Sequence, residues 1–143
     1  MSEADPIAVL AELESRARRV ETPSGEGSIV WRVWGEGPAL VLGHGGQGAW
    51  SHWVRNIDTF ARDYRVIVPD FPGHGDSALP ATEDHDGISA AVEGGMRELL
   101  AEGEKAAFVG FSFGGAVFTH YSVRHPERVR RLIIVGTGGL DTP

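Results

Sequence analysis

Ser112 stands in Gly110-Phe111-Ser112-Phe113-Gly114, a G-x-S-x-G pattern that Gly115 extends. The apolar run Ala106-Ala107-Phe108-Val109 precedes it, and Ala116, Val117, His120 and Tyr121 follow at helical spacing. The run is too short for a helix and suits a strand buried on both faces. A chain turning from strand to helix within a residue or two crowds backbone at the corner, where side chains would collide and glycines do not. Such a corner presents a hydroxyl on a rigid, strained support at a helix N-terminus, where free N–H groups and the helix dipole favour developing negative charge. That is the setting of a nucleophile. Alone, the pattern also fits a serine that merely caps a helix. The strand before it and the periodic segment after it are the context that a nucleophile elbow requires.

Two other stretches could serve that hydroxyl. Gly43-His44-Gly45-Gly46-Gln47-Gly48 follows the apolar strand Ala39-Leu40-Val41-Leu42. In a parallel sheet it emerges at the same carboxyl edge as Ser112, and its glycines let backbone N–H groups turn toward the serine. It carries no G-x-x-x-x-G-K-[ST] and no correctly placed G-x-G-x-x-G, which argues against a phosphate cradle. Asp70-Phe71-Pro72-Gly73-His74-Gly75-Asp76-Ser77 is first of all a tight turn, in which His74 and Asp76 are more often solvated than ligating. A metal-dependent reading through His44, His52 and His74 lacks the two-on-one-face helical spacing of H-E-x-x-H. No metal or cofactor is expected.

The elements that must position these residues fit one domain. The chain has 143 residues, 41% hydrophobic and 23% charged, which is ordinary for a globular protein. Thirteen basic and twenty acidic residues give a net charge of -7, which disfavours nucleic acid or an anionic membrane as partner. With no cysteine there is no disulfide framework or thiolate metal site. No signal peptide or bilayer-length apolar run is visible, so a cytoplasmic location is expected.

Asp5-Pro6 reads as a helix start, with Ile7, Leu10, Leu13 and Ala17 along one side, so residues 1–17 are expected to form an amphipathic helix on an 18–143 core. Arg18 to Thr22, a turn over 23–27, and Ser28 to Trp34 make an antiparallel hairpin, Ile29, Trp31 and Val33 alternating with Val30, Arg32 and Trp34. From Ala39 onward strands alternate with helices. Trp50, Trp53, Ile57, Phe60 and Ala61 predict one helix, leading to the strand Tyr64 to Val68. Ile88, Val92, Met96, Leu99 and Leu100 predict a second, in which Gly94 and Gly95 imply a kink or a tightly packed neighbour. His125-Pro126 ends the Ser112 helix, and Leu132 to Val135 is the last strand. The fold class is therefore α/β: a mostly parallel sheet with an antiparallel N-terminal hairpin and helices on both faces.

In this order, the hairpin, the H-G-G loop, D-F-P-G-H-G-D-S and G-F-S-F-G-G closely resemble the N-terminal half of the α/β-hydrolase fold superfamily, over about Val20 to Val135. The resemblance implies a serine hydrolase of small-molecule ester or related acyl substrates. Ser112 would be the nucleophile, the N–H groups of Phe113 and Gly46 the oxyanion hole, and His44 and Gly45 its supporting loop. Serine at the elbow argues against the dehalogenases and epoxide hydrolases, which carry aspartate there. H-G-G-x-G before a tryptophan-rich helix is similar to esterases and to carbon–carbon bond hydrolases of ring-cleavage products.

The sequence departs from the family in its acid and histidine, which follow the nucleophile in that order on later loops. None of His44, His52, His74, His85, His120 or His125 occupies the catalytic place, which would lie beyond Pro143. Asp141 follows the last strand, where a minority of the family keep their acid, but no histidine is there for it to orient. The expectation is a truncated α/β-hydrolase fold with little or no turnover by itself, since a serine without a positioned base is a poor nucleophile. Its last strand would expose an unpaired edge, open to self-association or to a complementing C-terminal chain. The alternative is a non-catalytic binding or interaction module of the same fold.

Overall fold

The computed structural model describes residues 4–138, so Asp141 lies outside the described residues. Helix α1 (Pro6–Ser15) begins where Asp5 accepts the N–H of Ile7 at 3.1 Å, with proline at the first helical position. Strands β1 (Arg18–Ser24) and β2 (Gly27–Trp34) form the antiparallel hairpin. Its turn is tighter than the five residues expected, because Ser24 pairs with Gly27 and Gly25 takes φ 59°. The expected two-faced alternation of β2 is replaced by burial of every residue from Ile29 to Trp34, since packed layers cover both sides of the sheet.

Strand β3 (Ala39–Gly43) is followed by a 3₁₀ turn over Trp50–Trp53 and the four-residue helix α2 (Ile57–Phe60), not the single helix expected. Helical spacing survives because 3₁₀ and α turns both return a side chain to the same side every three to four residues. Strand β4 (Arg65–Pro69), helix α3 (His85–Leu99), strand β5 (Ala106–Phe111), helix α4 (Phe113–Arg124) and strand β6 (Val129–Val135) complete the order. Helix α3 runs through both glycines. A Cβ on Gly95 would stand 2.0 Å from the Trp31 ring, so tight packing explains this glycine.

The six strands lie in the order β1-β2-β4-β3-β5-β6, parallel from β4 to β6. Helices α3 and α4 cover one face over a core of Trp31, Phe71, Met96, Phe108, Phe118 and Tyr121. Leu13 of α1, Trp50 and Ile57 pack with Trp34, Leu42 and Val68 on the other. From β3 the chain first goes outward to β4 and then crosses to β5 on the opposite side. That reversal opens a crevice between the carboxyl ends of β3 and β5, where ligands bind in open α/β sheets. Among the described residues strand β6 is an edge strand paired with β5 alone, and Ile133, Ile134 and Val135 are exposed.

Candidate active site

The two sides of that crevice are the corner after β5 and the loop after β3. At the corner, Ser112 is the residue before α4 and holds φ 52° and ψ −114°. An L-residue in such a sparsely populated conformation stores about 1–3 kcal/mol, which the surroundings must over-determine. They do so mainly through backbone: the Ser112 N–H donates to the Val135 carbonyl at 2.9 Å, and its carbonyl accepts from Gly115 N–H at 3.0 Å, with one side-chain bond from Thr137 Oγ1 at 3.2 Å. The glycines are explained by contact. A Cβ on Gly110 would lie 2.5 Å from Gly114 and Gly115 backbone, and one on Gly114 would lie 2.5 Å from the Gly43 carbonyl oxygen. Ser112 is partly exposed, and as the first helical residue Phe113 has an N–H without an intrahelical acceptor.

The facing loop meets it closely. A Cβ placed on Gly46 would have Phe113 Cβ as its nearest neighbour, at 3.8 Å. Gln47, beside Gly46, has φ 56°; among the described residues it and Ser112 are the two non-glycine residues with positive φ. Both strained positions thus border one crevice, the usual place for stored strain.

His44 is fully buried, and its ring is read without ambiguity. Nε2 accepts the Phe71 N–H at 2.9 Å, so the ring proton sits on Nδ1 and is donated to the Gly45 carbonyl at 2.7 Å. Burial pushes its pKa down to about 4, opposed by the Gly45 hydrogen bond. It is neutral at pH 7 and has no free nitrogen with which to act as a base. The Gly45 N–H donates to His52 Nδ1 at 3.1 Å, and the Gly48 N–H to the Gly45 carbonyl at 3.2 Å.

The other histidines are accounted for elsewhere. His74 stacks on Phe113 at 5.5 Å, and His125 packs on Tyr121 near Glu93. His120 packs against His85 with the rings tilted by 35°, beside Asp86. None hydrogen-bonds Ser112 Oγ among the described residues. The rings of His52 and His74 lie 6.1 and 5.1 Å from that of His44, but with both His44 nitrogens spent on backbone they do not converge on a metal, and no metal-binding group of three occurs among the described residues. A cavity of about 450 Å³, lined by His52, Trp53, Asn56, Val109, Phe111 and Val135, opens next to the corner. A slightly larger one, about 500 Å³, lies at the amino ends of β3 and β6, away from Ser112.

Sequence reasoning passed over Arg32 and Asp70, the two buried charges nearest the loop. Arg32 is 2% exposed and Asp70 1%, and they pair at 2.9 Å. An arginine inside the run from Ile29 to Trp34 was the available signal, since a charge in a buried strand must be paired. Asp76 is exposed, as expected of a solvated turn residue, and also pairs with Arg32 at 2.6 Å and with Arg19 at 3.2 Å; these hydrogen bonds, Arg32's first, hold its carboxyl below the usual range.

A model of the alpha/beta hydrolase fold family matches residues 38–143. The 2-hydroxy-6-oxo-6-phenylhexa-2,4-dienoate hydrolase of Burkholderia cepacia is 40% identical over 111 residues, 74% of this chain and 38% of that protein. The pimeloyl-[acyl-carrier protein] methyl ester esterase of Vibrio atlanticus is 38% identical over 111 residues, 77% of this chain and 40% of that protein. The chain thus spans about 40% of the length of the curated relatives it matches. Among solved structures, a variant of the meta-cleavage product hydrolase CumD superposes with TM-score 0.76 and 30% identity, over 86% of this chain and 46% of that one. No described helix is long and apolar enough to cross a membrane.

Proposed function

The chain belongs to the alpha/beta hydrolase fold family, and on that premise we propose that it carries the nucleophile and oxyanion hole of a serine hydrolase acting on ester or related acyl substrates. Ser112 Oγ adds to the substrate carbonyl carbon. The carbonyl oxygen takes up the negative charge and accepts hydrogen bonds from the N–H groups of Phe113 and Gly46. Collapse expels the leaving group, and water then releases the acyl group from Ser112. The observation that carries the reading is Ser112 held in its strained conformation at the end of β5, directly across from Gly46. The esterase and the dienoate hydrolase among the relatives support acyl chemistry, with carbon–carbon bond hydrolysis as its alternative form.

The Ser112 proton needs an acceptor, and no described histidine is placed to take it. The 143-residue chain is therefore expected to turn over substrate slowly or not at all. A fluorophosphonate probe tests the assignment in the complete protein, because phosphonylation needs the same activated serine as acyl transfer but no turnover. We expect one adduct, on the peptide holding Ser112, and none in Ser112→Ala; an adduct that persists in that variant rejects the nucleophile.

The exposed edge of β6 favours a second reading, in which a partner strand pairs there. Size-exclusion chromatography decides it: a dimer is expected, and a clean monomer across micromolar concentrations rejects self-pairing.

A further inference from the structure

One peptide, Gly45–Gly46, carries the second oxyanion donor, and the side chains that aim it lie outside H-G-G-x-G. Its carbonyl is held from two sides, by His44 Nδ1 and by the Gly48 N–H. Because the peptide is planar and trans, its N–H, on Gly46, projects the opposite way. His44 can hold that carbonyl only while the Phe71 N–H occupies Nε2. At the far end of the loop, the Trp50 N–H donates to Asp70 Oδ1 at 2.8 Å. The adjacent residues Asp70 and Phe71 thus grip both ends of the stretch from His44 to Trp50.

Asp70 is in turn fixed from elsewhere. Its Oδ2 accepts from Arg32 Nη1 at 2.9 Å and from the Asp76 N–H at 3.0 Å. The Arg32 guanidinium lies 5.2 Å over the Trp50 ring, and its Nη2 and Nε donate to Glu14 Oε1 at 2.6 and 2.9 Å. Burial works against that charge, but the bonds to Glu14, Asp70 and Asp76 outweigh it and hold the guanidinium protonated. Glu14 belongs to α1, outside the residues that the family model matches.

We propose that Asp70 is a positioning residue for the oxyanion loop, and that Glu14, acting through Arg32, makes the N-terminal helix part of the same device. This rests on the oxyanion reading of Gly46 given above. Neither side chain touches substrate. Each acts on the reaction through the orientation of one amide, where small displacements cost large factors in rate.

The test is the second-order rate of Ser112 phosphonylation in the complete protein, together with the ¹⁵N–¹H resonances of Gly45, Gly46, Gly48 and Trp50 in the 143-residue chain. Asp70→Asn is expected to slow labelling by about tenfold or more, and Glu14→Gln, at a half-exposed site and so safe for folding, by about threefold. Both should shift the Trp50 and Gly46 amides, while Glu12→Gln, on a side chain that among the described residues pairs with Arg16 alone, should change neither. Glu14→Gln with wild-type labelling and unmoved loop amides overturns the proposal. Should the complete wild-type protein not label at Ser112, it is the serine-hydrolase reading, nucleophile and oxyanion hole together, that fails. The amide shifts of Glu14→Gln then decide the clamp alone: movement supports it, and fixed resonances overturn it.

Discussion

The corner at Ser112 and the loop from His44 to Trp50 face each other across one crevice, yet they are held in different ways. The corner is fixed mainly by backbone: Gly110 lies against Gly114 and Gly115, Gly114 against the Gly43 carbonyl, and the Ser112 N–H against Val135, with the Thr137 hydroxyl as one side-chain contact. The loop is fixed by side chains from other elements, His44 against Phe71, Asp70 against Trp50, and Arg32 behind Asp70. A loop with three glycines among five residues has little of its own with which to choose a conformation. Its shape must be imposed from outside, and buried polar groups with fixed partners can do that.

The contrast is broken most sharply at Arg32. Arg32→Ala leaves the Asp70 carboxylate buried without its cation, and the expected loss is about 3–5 kcal/mol. Urea unfolding measures it; a loss under about 1 kcal/mol would mean that the loop does not depend on the buried pair.

The pH dependence of stability sharpens the same side of the comparison. His44 has a pKa of about 4 in the folded chain, below the ordinary value near 6.5, so the unfolded chain takes up its proton first as pH falls. The contribution is fully present above about pH 6.5 and declines toward pH 4, by at most about 3 kcal/mol. Unfolding of wild type and His44→Asn across this range should show a steeper fall in wild type; parallel curves would show that His44 is not buried neutral.

The smallest effect expected lies at the corner and has the opposite sign. Ser112→Gly places at φ 52° a residue that tolerates it, so stability should rise by about 1 kcal/mol while labelling is lost. An unchanged or lower unfolding midpoint would show that the corner stores no strain.

The elements, the strand-to-helix corner at Ser112 and the approximate place of the glycine loop could be read from residue types and spacing, because each rests on neighbours a few positions apart. Ala106 to Val109 reads as a strand whatever surrounds it, and Gly110 and Gly114 mark a close approach before the approaching backbone is known. The stretch from Trp50 to Ala61 shows the limit of such reading: its spacing fits one helix, yet the chain folds as a 3₁₀ turn and a separate short helix, with the Trp50 N–H given to Asp70. Likewise Arg32 looked like the outward position of an alternating strand, and only the layers on both sides of the sheet buried it.

The sequence by itself determined that a serine would stand on a tight bend between a strand and a helix, since short-range sterics admit few other solutions for that glycine spacing. Tertiary structure alone decided the order β4-β3-β5, which sets the glycine loop beside that serine, and the link from Glu14 through Arg32 to Asp70. The reason is that burying a charge makes its partners obligatory without saying where in the chain they are. Only the packed sheet brings residues 14, 32 and 70 together.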